Sequence, residues 1–138
     1  MGLDEAVSAP VPSPVAGIGF RRGTEAAEIV ALVRRALREA RADGLSALAT
    51  AADRADEPAL REAAAAFGLA PLPLAPEALA AADADVPTRS ARVERLRGIG
   101  SLAEAAALAA AGAGARLILP RIASAGATCA LAAPGPRA

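Results

Sequence analysis

The chain has no histidine, tryptophan, tyrosine or lysine among its 138 residues. Without histidine it lacks the usual base at neutral pH, the commonest metal ligand and any histidine-dependent triad. Catalysis, if there is any, would fall to Asp, Glu, Ser, Thr or Cys129, or to substrate groups and water. The missing lysine rules out a Walker loop. Phe20 and Phe67 are the only aromatics, too few to stack successive bases. Fifteen arginines balance fifteen acids, so no excess charge is available to neutralise phosphates, and a nucleic-acid partner is not expected. A single cysteine, Cys129, excludes an internal disulfide and fits a reducing compartment. It sits in an alternating Ala-Thr-Cys-Ala-Leu run, where a structural role as a small hydrophobe is expected. No window reaches the roughly 20 apolar residues of a membrane span, and the N-terminus shows no charged-then-apolar leader. The expectation is a cytoplasmic protein with no membrane contact, no metal and no cofactor.

What is abundant is alanine. It accounts for 43 residues within a hydrophobic fraction of 54%. Alanine favours helices and close packing, but each one buries little area. The length suits one domain, expected over residues 15–133. Residues 1–14, with Pro10, Pro12 and Pro14, read as a mobile tail, and residues 134–138 as a second one.

The first ordered stretch is the most informative. Val15–Phe20 is an apolar run of strand length, followed by Arg21-Arg22-Gly23-Thr24 and then a helical pattern. A loop between a strand and a helix places helix N-terminal N–H groups at the carboxyl edge of the sheet, where anions bind in α/β folds. Arg21 and Arg22 add guanidinium forks that match carboxylates or phosphates. The spacing Gly17-x-Gly19 with Gly23 is not the dinucleotide fingerprint. The plain alternative is a turn with a solvated arginine pair.

Helical spacing runs from Glu25 to Arg41, with Thr24 as the expected N-cap, Glu28 favourable to the dipole, and Gly44 closing the segment. Leu45–Ala51 reads as a second strand. Asp53, Asp56 and Glu57 then precede Pro58 and a helix ending at Gly68, with Asp56 the favoured cap. Leu69–Leu74, broken by Pro71 and Pro73, reads as an edge strand, and Pro76 opens a short helix. Residues 83–100 form an arginine-rich connector with a helical stretch between Ser90 and Leu96. Ser101-Leu102-Ala103-Glu104 reads as a capping box opening an alanine-rich helix to Ala111. Arg116–Pro120 and Ala127–Ala133 are the last strands, joined by a segment too short for a parallel crossover and therefore antiparallel. Right-handed crossovers give a three-layer α/β/α sandwich. Its five-stranded sheet is mostly parallel, with the last strand antiparallel at an edge.

Several stretches, taken in order, resemble one family. They are Gly17–Thr24, Asp53–Leu60, Val86–Ser90, Gly98–Ala106 and Pro120–Ala132. Together they are similar to the CobE/CbiG C-terminal domain of cobalamin (vitamin B12) biosynthesis, over about Val15 to Ala133. That resemblance implies an α/β/α domain with a mixed sheet. CbiG-like members carry the domain behind a longer region and are associated with opening the ring lactone of cobalt-precorrin-5A, with acetaldehyde release. A chain of this length resembles the stand-alone CobE-like members of the aerobic route. Phe20 departs from the small or thiol residue of many relatives, and Arg54 from their lysine.

Two functions then stand open. One is binding, carrying or assisting the processing of a polycarboxylated precorrin or hydrogenobyrinic-acid-like intermediate. Its candidate contacts are Gly19, Arg21, Arg22, Gly23, Thr24, Arg54, Arg121 and Ser124, with other corrin-pathway enzymes as further partners. The other is a lactone hydrolase, with Asp53, Asp56 or Glu57 as the candidate acids that activate water. Either way, the loops at residues 21–24 and 53–57 are expected on one cleft.

Overall fold

The computed structural model describes residues 13–83 and 99–134. The connector reading over residues 84–98 and most of both expected tails lie outside the described residues. Strand β1 (Val15–Phe20) leads into helix α1 (Ala26–Ala40), then β2 (Ala47–Ala51) and a short 3-10 turn at Ala52–Arg54. Helix α2 (Pro58–Ala65), β3 (Pro71–Leu74) and α3 (Pro76–Asp83) follow, then α4 (Ile99–Ala111), β4 (Arg116–Ala123) and β5 (Ala127–Ala133).

The sheet order is β3-β2-β1-β5-β4. β1, β2 and β3 pair in parallel, whereas β5 runs antiparallel to both β1 and β4. Four strands therefore share one direction and only the last opposes them. It is not an edge strand, however. β5 lies beside β1, buried along its whole length, and β4 takes the edge. The β4–β5 hairpin carries its second strand into the sheet, between β1 and the edge, so every Ala127–Ala133 side chain is covered. β3 is the other edge, where Pro71 and Pro73 are tolerated because an outward-facing residue needs no ladder donor.

Helices cover both faces. Helices α1 and α2 lie on the side of Ala16, Ile18, Phe20, Leu48, Cys129 and Leu131. Helices α3 and α4 lie on the side of Ala49, Ala130 and Ala132. Alternation along each strand, the period-2 rule, produces this division. On the α4 face most contacting side chains are alanine, among them Ala103, Ala106 and Ala107, with Leu74, Leu79 and Leu108 as the larger members. Small side chains bury little area singly, so this layer gains its dispersion contacts by bringing helix and sheet backbones close together. Gly17 marks the closest approach. A Cβ there would stand 2.0 Å from the Ala103 carbonyl oxygen and 2.4 Å from the Ala107 nitrogen.

Local corrections concern the helix ends. Thr24 does not cap α1; Glu25 holds the N-cap position and no side chain closes it. Nor does Gly44 terminate this helix. Arg41 takes the left-handed conformation at φ 58°, and its N–H bonds the Arg38 carbonyl. Asp56 is exposed and caps nothing, because Glu57 holds the N-cap position of α2, again without a side-chain bond. The expected helix start at Ser101 also moves, since α4 begins at Ile99. Glu104 is instead buried, and its carboxylate accepts the Arg121 N–H at 3.1 Å.

Candidate functional site

Three loops meet at the carboxyl edge of the parallel strands: residues 21–25 after β1, residues 52–57 after β2, and the turn at 124–126 after β4. Backbone bonds tie the first to the third, because the Arg21 N–H donates to the Gly126 carbonyl at 2.8 Å. The Thr24 hydroxyl donates to that same carbonyl at 3.0 Å. From the other side, the Gly126 N–H donates to Glu28 Oε2 at 2.7 Å, and the Ser124 hydroxyl donates to the same oxygen. Both donors hold the Glu28 carboxyl below the usual carboxylate range, the Ser124 hydroxyl having the larger effect and partial burial opposing it.

The second loop meets the first through Arg54. Its guanidinium carbon lies 4.3 Å from the centroid of the Phe20 ring, within cation–π range. Its Nε donates to Glu57 Oε2 at 3.1 Å, and Nη2 is buried with no hydrogen-bond partner among the described residues.

Between the starts of α1 and α2 runs an open groove of about 500 Å³, lined by Gly23, Thr24, Glu25, Glu57, Pro58 and Glu62, among others. Neither helix N-terminus on it is capped by a side chain among the described residues. Their first-turn N–H groups and dipoles therefore give the groove a positive partial charge at two points. Glu25 and Glu62 oppose it from the walls. A second hollow of about 480 Å³ lies at the carboxyl ends of β2 and β3, lined by Asp53 with Leu74 and Leu79.

The sequence-derived residues divide as follows. Gly23, Thr24 and Glu57 share the groove. Arg21 and Arg22 are exposed on its loop and make no ion pair among the described residues. Gly19 is buried in β1, opposite Thr128. The Thr24 N–H is already engaged by the Arg21 carbonyl at 3.1 Å, and the Thr24 and Ser124 hydroxyl donors are engaged inside the protein. Arg121 stands apart, exposed on edge strand β4 with β5 between it and β1. Asp53 and Asp56 are exposed, and Asp53 opens on the second hollow rather than the groove. Glu28 escaped the sequence reading, which gave it only a dipole role. Its partners lie 96 and 98 residues away, and the only local hint was the small, turn-forming Ser124-Ala125-Gly126.

Fold and site thus define a class: a three-layer α/β domain with an arginine-bearing loop and uncapped helix starts at the carboxyl edge of its sheet. The family model for Cobalamin synthesis G C-terminus matches residues 14–132, and the chain belongs to that family. It is 40% identical to Protein CobE of Sinorhizobium sp. over 132 residues, which span 87% of this chain and 79% of that protein. The crystal structure of CobE, from the cobalamin biosynthetic pathway, superposes with a TM-score of 0.76 at 38% identity, covering 89% of this chain and 92% of the other. A cobalamin biosynthesis protein, chiG, from Agrobacterium tumefaciens str. C58 gives 0.72 at 41% identity, over 89% and 99%. A cobalamin biosynthesis protein G homolog from Sulfolobus solfataricus shares the fold, at 0.69 and 22% identity, and this chain spans 36% of it. The chain is a cobalamin-biosynthesis protein. Among the described residues, no helix is long and apolar enough to cross a membrane.

Proposed function

We propose that this protein binds a polycarboxylated corrin intermediate, of the precorrin or hydrogenobyrinic-acid type, and carries it or assists its processing. The observation that carries this reading is the pair of uncapped helix N-termini on one groove, beside a loop with two exposed arginines that have no ion-pair partner among the described residues. Backbone N–H groups and guanidinium forks are the donors that carboxylates select. Glu25 and Glu62 on the walls repel a polyanion, so its carboxylates are expected to seat at the loop end, nearest Arg21 and Arg22. The lactone-hydrolase reading draws less support. A water-activating carboxylate needs a sheltered position with a free oxygen facing the water, yet Asp53 and Asp56 are exposed and Glu57 is paired with Arg54.

Absorbance titration with hydrogenobyrinic acid tests the proposal. Arg21→Ala and Arg22→Ala should each weaken binding by about tenfold, the worth of one charge-assisted hydrogen bond, with an unchanged melting curve. Arg→Lys should recover part of the loss, because lysine keeps the charge but not the planar fork. Unaltered affinity in both alanine variants would place the ligand elsewhere. Release of acetaldehyde from a lactone intermediate by the wild-type chain would favour the hydrolase.

A further inference from the structure

Gly126 is held from both sides of its peptide framework. Its carbonyl receives the Arg21 N–H and the Thr24 hydroxyl, and its N–H reaches Glu28. The same Glu28 oxygen also receives the Ser124 hydroxyl. There is no room for a side chain at 126, where a Cβ would stand 2.6 Å from Thr24 Oγ1 and 3.5 Å from Glu28 Oε2. A chain of contacts therefore runs from the first turn of α1, through the β4–β5 turn, and back to the loop that carries Arg21 and Arg22. The charged side chain in these bonds is that of Glu28, which is half-buried at the rim rather than in the core.

We infer that Glu28 is a positioning residue, locking the β4–β5 turn against the β1–α1 loop so that the arginine-bearing loop is ordered before ligand arrives. A loop ordered in advance loses less conformational freedom on binding, and the saving appears as affinity. One oxygen receiving two donors suits an ionised carboxylate, whose two oxygens offer several acceptor sites. Ile18, Ile29, Leu48 and Leu131 are fully buried in the core, whereas Glu28 is only half-buried at the rim, so its removal is expected to loosen the rim and leave the sheet intact. The effect on affinity rests on the corrin-binding reading above; the ordering of the loop does not.

The test separates the two on the full-length chain. Amide hydrogen exchange is followed by NMR at Arg21 and Gly126, with Ile18 and Cys129 of the central strands as controls. Glu28→Ala should raise exchange at Arg21 and Gly126 by about tenfold or more while the controls stay protected, and hydrogenobyrinic acid should bind about tenfold more weakly. Glu28→Gln keeps an acceptor oxygen in place and should restore most of both. Should Glu28→Ala fail to fold, Ser124→Ala, which removes one of the two donors, should shift both readouts in the same direction by less. Unchanged exchange at Arg21 and Gly126 overturns the inference, and so does faster exchange with unaltered affinity. If the wild-type chain does not bind hydrogenobyrinic acid, the corrin reading falls, while the exchange rates still decide whether Glu28 orders the loop.

Discussion

Arg54 and Phe20 lie face to face, the guanidinium carbon 4.3 Å from the ring centroid. Their sequence positions are far apart, one ending β1 and the other in the turn after β2, and the parallel pairing of these strands brings them together. Phe20 is nearly buried, so the ring screens the cation from water and strengthens their attraction. A double-mutant cycle of Phe20→Leu and Arg54→Met should give a coupling of about 0.5–2 kcal/mol by urea denaturation. Additive effects would mean that the stack contributes nothing beyond packing.

Much of this architecture can be read from residues close in sequence. The Val15–Phe20 and Ala127–Ala133 strands have their observed bounds because each is a mostly apolar run between turn residues. The short link at 124–126 dictates an antiparallel pair. Side chains that reach across the fold are a different matter. Thr24 looks like a cap beside a helix start, yet its hydroxyl bonds a carbonyl 102 residues on. Glu104 has capping-box spacing, but its carboxylate crosses to Arg121 on the edge strand. Local spacing cannot weigh such partners, because strand order decides whether they meet. For the same reason Phe20 and Arg54 are separate oddities in the sequence and one contact in the structure.

Gly17→Ala should be among the most damaging single changes. The new Cβ would meet the backbone of α4, 2.0 Å from the Ala103 oxygen, and backbone cannot rotate aside. Either the helix lifts off β1, opening gaps along the alanine layer, or the strand twists away from β2 and β5. Overpacking of a close interface costs about 1–3 kcal/mol, occasionally more. The upper end or beyond is expected here, read as a lower urea midpoint. Wild-type stability would contradict the close packing of α4 on β1.

Cys129 should behave as an inert thiol. Burial between β1 and β4 pushes its pKa up to about 12, and the thiolate is the reactive form. Labelling by a disulfide reagent should follow global unfolding, with a rate that rises in urea and is negligible without it. Cys129→Ala removes a sulfur from a packed site and should cost about 1 kcal/mol or somewhat more. Fast stoichiometric labelling of the folded chain would refute this placement.

Glu28 sets an acid limit on the rim. Its folded pKa is depressed below the ordinary 4.5, chiefly by the Ser124 hydroxyl and then by the Gly126 N–H. A depressed carboxylate contributes stability that is fully present above its unfolded pKa and is lost as pH falls through the folded value. Above pH 4.5, wild type should therefore be more stable than Glu28→Gln, and the difference should shrink below that pH as Glu28 takes up a proton. Glu25, also near the start of α1, is common to both proteins, so subtraction removes its share. Arg21 and Arg22 are likewise common to both and do not enter the difference. Urea midpoints of the two proteins, taken from about pH 6 down to about pH 3, give the comparison within the range where carboxylates titrate. A gap that stays constant over that range would show that ionisation of Glu28 is not what holds Ser124 and Gly126 in place.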